Sequence, residues 1–136
     1  MAADRLRGRR MSRAVTAGIG VGRVALSAAV LVRPASLPAA LGVDSVTARR
    51  TGWVVRMFAA RDAALGLGAV WAVATGERVR PWLVAQAIGD ATDAAVFALA
   101  ARERHVSPAR GLALSALAAS GVVGGLAAAR DADLPS

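Results

Sequence analysis

Four long apolar stretches, each close to 20 residues, alternate along the chain with short arginine-bearing breaks. They cover about 14–32, 51–75, 81–101 and 111–129. A bilayer core of about 30 Å takes about 20 helical residues, so each stretch is long enough to cross a membrane. The runs are rich in alanine and leucine, strong helix formers, and lack the period-two alternation of a barrel strand. A helix also satisfies its own backbone groups where lipid offers no hydrogen bonds. Pro81 stands at the predicted start of the third helix, where its missing N–H is harmless, and Pro108 precedes the fourth. The pattern predicts an all-α, four-transmembrane-helix bundle.

The connections carry less pattern. Residues 33–50 form the longest of them, and the patch Leu37, Ala39, Ala40, Leu41 before Gly42 predicts a short interfacial helix over about 36–41. Residues 76–80 leave room only for a tight hairpin between the second and third helices. Residues 1–12 read as a basic mobile tail and 131–136 as a second one, leaving 13–130 as a single membrane domain. Trp53 and Trp71 lie 18 residues apart on the second helix, or roughly 27 Å at 1.5 Å per residue. That spacing places them in the two interfacial belts tryptophan prefers, with Trp82 on the same side as Trp71.

Composition agrees with this pattern and narrows the chemistry. Of 136 residues, 56% are hydrophobic, above the level of about 45–50% usual for soluble domains. There is no cysteine and one histidine, His105, which excludes disulfides, thiolate chemistry and a histidine metal cluster. No catalytic motif, metal site or cofactor-binding loop is found, so catalytic, metal and cofactor residues are expected to be none. The net charge of +8 comes from 17 basic residues, all of them arginine, a usage that with the alanine content suggests a GC-rich bacterial genome. These arginines fall between apolar runs rather than on one aromatic-interleaved face, so topology explains them better than nucleic acid does. Eight arginines fall on the side of the N-terminus and six on the other. The expectation is a bacterial cytoplasmic membrane protein with both termini inside, in contact with lipids and with a second copy or another membrane protein. Arg23 interrupts the apolar run of the first segment, which argues against a cleaved signal peptide.

Charged residues inside the apolar runs are the candidates for chemistry, because ionisable groups are expensive in a bilayer. They are Arg23, Arg56, Arg61, Asp62, Asp90 and Asp93, with Gln86 one turn before Asp90 on the same face. Three positive and three negative charges suggest a self-neutralising interior. An antiparallel hairpin of the second and third helices brings Arg61 level with Asp93 and Asp90 level with Gly66. The predicted pairs are Arg61 with Asp93, and Arg23 with Asp90 or Asp62, while Arg56 lies nearer an interface and snorkels. One reading is a packing lock that fixes helix register. The alternative is a small transporter or proton/ion-coupling subunit using Asp90 and Asp93. A soluble alanine-rich bundle is a third, weaker reading.

Small-residue spacing at Gly18-xxx-Gly22 and Gly121-xxx-Gly125 suggests close helix contacts. Ser115 and Ser120 are expected to bond carbonyls of their own helix, and His105 to be a solvated loop residue. The run Arg56-x4-Arg61-Asp62-x3-Gly66, followed by Gly89-Asp90-x2-Asp93, resembles a signature of small four-helix integral membrane proteins of unknown function, common in actinobacteria. The resemblance spans about residues 23–97. It implies an integral membrane location and no established activity, so the function expected from the residues is a non-enzymatic, multi-pass membrane protein.

Overall fold

The structure, a computed structural model, describes residues 2–132, with side chains from residue 13 onward. It is all α-helical, with no strand among the described residues. Four long helices, α1 (Ala2–Val32), α4 (Gly52–Thr75), α5 (Arg80–Arg102) and α6 (Pro108–Asp131), are joined by short turns and by two small helices, α2 (Ser36–Ala40) and α3 (Ser45–Arg50). All four long helices are long and apolar enough to cross a membrane, α1 over Arg13–Val32. Of the two expected tails, residues 2–12 instead continue α1 as helix, because nothing in that arginine-rich run breaks it. Asp131 closes α6, and residues 133–136 lie outside the described residues.

The helix ends follow local chemistry. Gly76, at φ +81°, ends α4 in the left-handed region, which glycine enters without a Cβ clash. Pro81 and Pro108 lie in the first turns of α5 and α6. The end of α5 is a Schellman turn with a non-glycine residue in it: Arg104 sits at φ +59° while His105 N–H donates to Ala100 O. A short helix does form at the predicted place, as α2. Sequence pattern does not foresee α3, which Asp44 caps by accepting from Val46 N and Thr47 N, both at 3.0 Å. Hydrogen bonding from Thr47, side chain first, holds this exposed carboxyl below its ordinary range. The cap is therefore complete above the ordinary aspartate range and fails as pH falls through the lowered value.

The bundle is two antiparallel hairpins. Helix α1 packs along α4 and α5 along α6, while contacts between the two hairpins are sparse. Contacts at Arg13–Val73, Gly20–Gly66, Arg23–Asp62 and Leu31–Arg56 step in opposite directions along α1 and α4, which sets that register. The seam is backbone against backbone at its middle: a Cβ on Gly20 would lie 2.8 Å from Gly66 O, and one on Gly66 would lie 2.8 Å from Gly20 O. In the second hairpin Gly111 faces Ala101, and Gly125 faces Ala87 and Leu83.

Burial is inverted relative to a water-soluble bundle. Ala69 and Ala72 are fully buried, whereas Leu26, Trp53 and Val123 are 68%, 64% and 70% exposed. Small residues inside let helices approach in lipid, where no hydrophobic drive joins them, and large apolar side chains face the solvent they match. Trp53 and Trp71 both project outward. Trp82 instead lies against α4, over Gly68, where an added Cβ would overlap its ring.

Candidate functional site

Arg23, Asp62 and Asp90 are each the eleventh residue of their spans, Arg13–Val32, Gly52–Thr75 and Arg80–Arg102. At 1.5 Å per residue that is about 15 Å from each span's start, half the depth of the hydrocarbon core. Three helices therefore deliver a charge to one layer at mid-membrane.

The layer is connected. Arg23 Nη2 donates to Asp90 Oδ2, and its Nη1 lies 3.6 Å from Asp62 Oδ2. Arg61 Nη2 donates to Asp93 Oδ2 at 2.8 Å and to Asp62 Oδ1 at 3.0 Å. Asp62 is thus shared by both arginines, and each arginine also holds one aspartate of α5. The Arg61 guanidinium additionally lies 5.5 Å from the centre of the Phe58 ring. Gln86, 2% exposed, donates its amide across to Leu65 O at 3.1 Å. The predicted pair of Arg61 with Asp93 forms, and Arg23, expected with Asp90 or Asp62, reaches both.

Arg56, expected nearer an interface, stands apart from the layer: it is the fifth residue of α4 and donates to Leu31 O at 3.3 Å, near the end of α1. Three features differ from the sequence reading. Gly66 does not accommodate Asp90; it receives the backbone of α1 at Gly20, with Arg23 Cβ beside it. The glycine that makes room for Asp90 is Gly121 of α6, where a Cβ would overlap the carboxylate. Ser115 reaches across the seam to Ala94 O at 2.8 Å rather than to its own helix, whereas Ser120 does bond its own Leu117 O. At Gly18 and Gly22, the expected contact pair of α1, an added Cβ would meet nothing within 4 Å. Residues that share a helical face with Arg23 include Gly20, three positions earlier, and that spacing was the available signal for the real contact.

A half-enclosed cavity of about 310 Å³ lies between α1, α5 and α6 and reaches Arg23, Gln86, Asp90 and Ser120. Gly121, Gly124 and Gly125 form its α6 wall. Among the described residues no group of three or more His, Asp or Glu side chains converges as metal ligands. His105 is exposed in the α5–α6 turn, with Nε2 3.0 Å from Glu103 Oε2.

Energetics make this layer the costly part of the molecule. A lone charged side chain at mid-bilayer costs about 2.5–3.5 kcal/mol on insertion scales and more in simulations. Pairing offsets that only if partners are positioned beforehand, and here the two hairpins position them. No family model, no curated protein and no solved structure matches this chain.

Proposed function

We propose that the chain is a non-enzymatic, multi-pass protein of a bacterial cytoplasmic membrane, with both termini cytoplasmic, that works through contacts with lipids and with a second copy or another membrane protein. Its Arg/Asp layer is the lock that docks one hairpin on the other. The observation that carries this reading is the location of the pairs: Arg23–Asp90 and Arg61–Asp93 both join α1/α4 to α5/α6, where helix backbones otherwise make few contacts. Mispairing at this layer leaves charges unmatched in lipid, so register is set by what the wrong arrangement costs rather than by what the right one gains.

The test is the yield of monodisperse protein in detergent. Arg61→Ala lowers that yield, and exchanging the charges, Arg61→Asp with Asp93→Arg, restores part of it. Wild-type yield from Arg61→Ala, or no recovery in the exchanged pair, removes the lock.

A further inference from the structure

Outside the Arg/Asp layer, an open groove of about 510 Å³ runs along the flank between α4 and α5. Ala64, Leu67, Gly68, Trp71 and Ala74, spaced as one face of α4, form one wall, and Trp82 of α5 forms the other. The groove exists because the two hairpins touch sparsely here and because Gly68 has no side chain: a Cβ on it would overlap the Trp82 ring. From Ala64 to Ala74 the helix rises about 15 Å, half of a hydrocarbon core of about 30 Å. Asp62, at mid-membrane, lies just beyond one end of the groove, and Gly76, which closes α4, just beyond the other. The groove is one leaflet long.

A second observation lies at the mouth of the groove. The turn over 76–80 joins its two walls and carries Arg78 and Arg80, both exposed, against the carboxylate of Glu77. Arg13 brings a third guanidinium to this end of α4, donating to Val73 O at 2.6 Å, while Arg130 and Asp131 at the end of α6 offset each other. Among the described side chains, a positive excess therefore stands at headgroup level, above an apolar slot. A second copy inserted in the same orientation would bring its own Arg78 and Arg80 to that level, like charge against like charge. A phosphodiester supplies the opposite sign.

We propose that this groove docks one anionic phospholipid, with an acyl chain between Trp71 and Trp82 and its phosphate at Arg78 and Arg80. The proposal rests on the membrane reading above and names the lipid class and the place of contact. With both termini cytoplasmic, the site belongs to the cytoplasmic leaflet, whose anionic lipids attract arginines at the membrane surface. A zwitterionic lipid fits the slot equally well but carries an ammonium group to the arginines, so the head selects and the groove holds.

The experiment uses the full chain with Trp53→Phe, which leaves Trp71 and Trp82 as the fluorophores. It is reconstituted in phosphatidylcholine vesicles holding equal fractions of dibrominated phosphatidylglycerol or dibrominated phosphatidylcholine, and quenching of the two tryptophans is compared. Phosphatidylglycerol is expected to quench at a several-fold lower fraction. Arg78→Gln, in an exposed turn, is expected to lower that preference by about fivefold, the value of one arginine at an anionic surface. Ala74→Leu, which fills the groove near its mouth and leaves the arginines in place, is expected to abolish it. Equal quenching by the two lipids overturns the proposal, as does a preference that survives Arg78→Gln. A preference unchanged in Ala74→Leu also overturns it, since the arginines would then gather anionic lipid without the groove. Weak quenching by both lipids that strengthens as the protein is diluted in the bilayer gives the groove to a second copy instead. No quenching by either lipid at any dilution would take the membrane reading down as well, whereas the lock is read separately, from folded yield after the charge exchange.

Discussion

The seam inside each hairpin and the layer between the hairpins solve helix association in opposite ways. Inside, Gly20 meets Gly66 and Gly125 meets Ala87, so that backbones nearly touch and dispersion does the work. Between, the backbones stay apart and long side chains span the gap: Arg23 to Asp90, Arg61 to Asp93, Gln86 to Leu65, Trp82 over Gly68. The first arrangement tolerates no added atoms and rests mainly on shape, with the longer Arg23–Asp62 contact at 3.6 Å crossing the α1–α4 seam. The second has room for atoms but depends on charge balance. A small membrane bundle with an alanine-filled interior thus uses shape where helices are neighbours in a hairpin, and electrostatics where two hairpins must recognise each other.

The sharpest way to break the first arrangement is at Gly20. Leucine there drives its Cβ into Gly66 O and the Val70 side chain, and a backbone oxygen in a packed helix cannot rotate away. Gly20→Leu is expected to abolish monodisperse protein in detergent. Gly18→Leu, two residues away where an added Cβ would meet nothing within 4 Å, is expected to behave as wild type. Equal behaviour of the two variants in size-exclusion chromatography would mean that the α1–α4 seam is not where the structure puts it.

That contrast also shows what the sequence can and cannot reveal. The four spans and the partners Arg61–Asp93 are legible because charge in an apolar run is rare, and antiparallel spacing then leaves few matching depths. Gly20 is hidden among Gly18, Gly20 and Gly22, since glycine spacing does not say which face is inward. The position of Arg56 outside the layer is legible, by contrast, because five residues into a span lies near its end, where a long side chain reaches back toward an interface. Helix α3 escapes notice because a six-residue helix has no apolar period to detect, and only the Asp44 cap with Thr47 three residues later hints at it.

The charge-dependent layer is broken by removing a cation from it. Arg23→Met keeps much of the side-chain volume but leaves Asp90 without its arginine and Asp62 with Arg61 alone. Loss of one partner of a buried pair costs about 3–5 kcal/mol. Adding Asp90→Asn removes the stranded carboxylate, and the double variant is expected to recover most of that loss in urea or SDS unfolding. Such recovery is what separates the two arrangements, since no second substitution of this kind relieves a glycine clash. A double variant as unstable as Arg23→Met alone would mean that Arg23 supports the bundle by packing, like the seam, and not by charge.

The smallest expected effect lies where the two arrangements meet, at a polar bond inside a seam. Ser115 Oγ donates to Ala94 O across α5 and α6 at 2.8 Å, one turn from the layer, but that carbonyl already belongs to a helix and the hydroxyl has a carbonyl of its own helix within reach as an alternative. Interhelical side-chain hydrogen bonds in a membrane protein average about 0.6 kcal/mol for this reason. Ser115→Ala is therefore expected to lower unfolding stability by about that amount, and Ser115→Thr, which keeps the hydroxyl and adds a methyl, by no less if the seam is as tight as Gly111 and Gly125 make it. A loss of several kcal/mol from the alanine variant would place Ser115 among the groups that decide how α5 meets α6, and the division between shape inside hairpins and polarity between them would no longer hold.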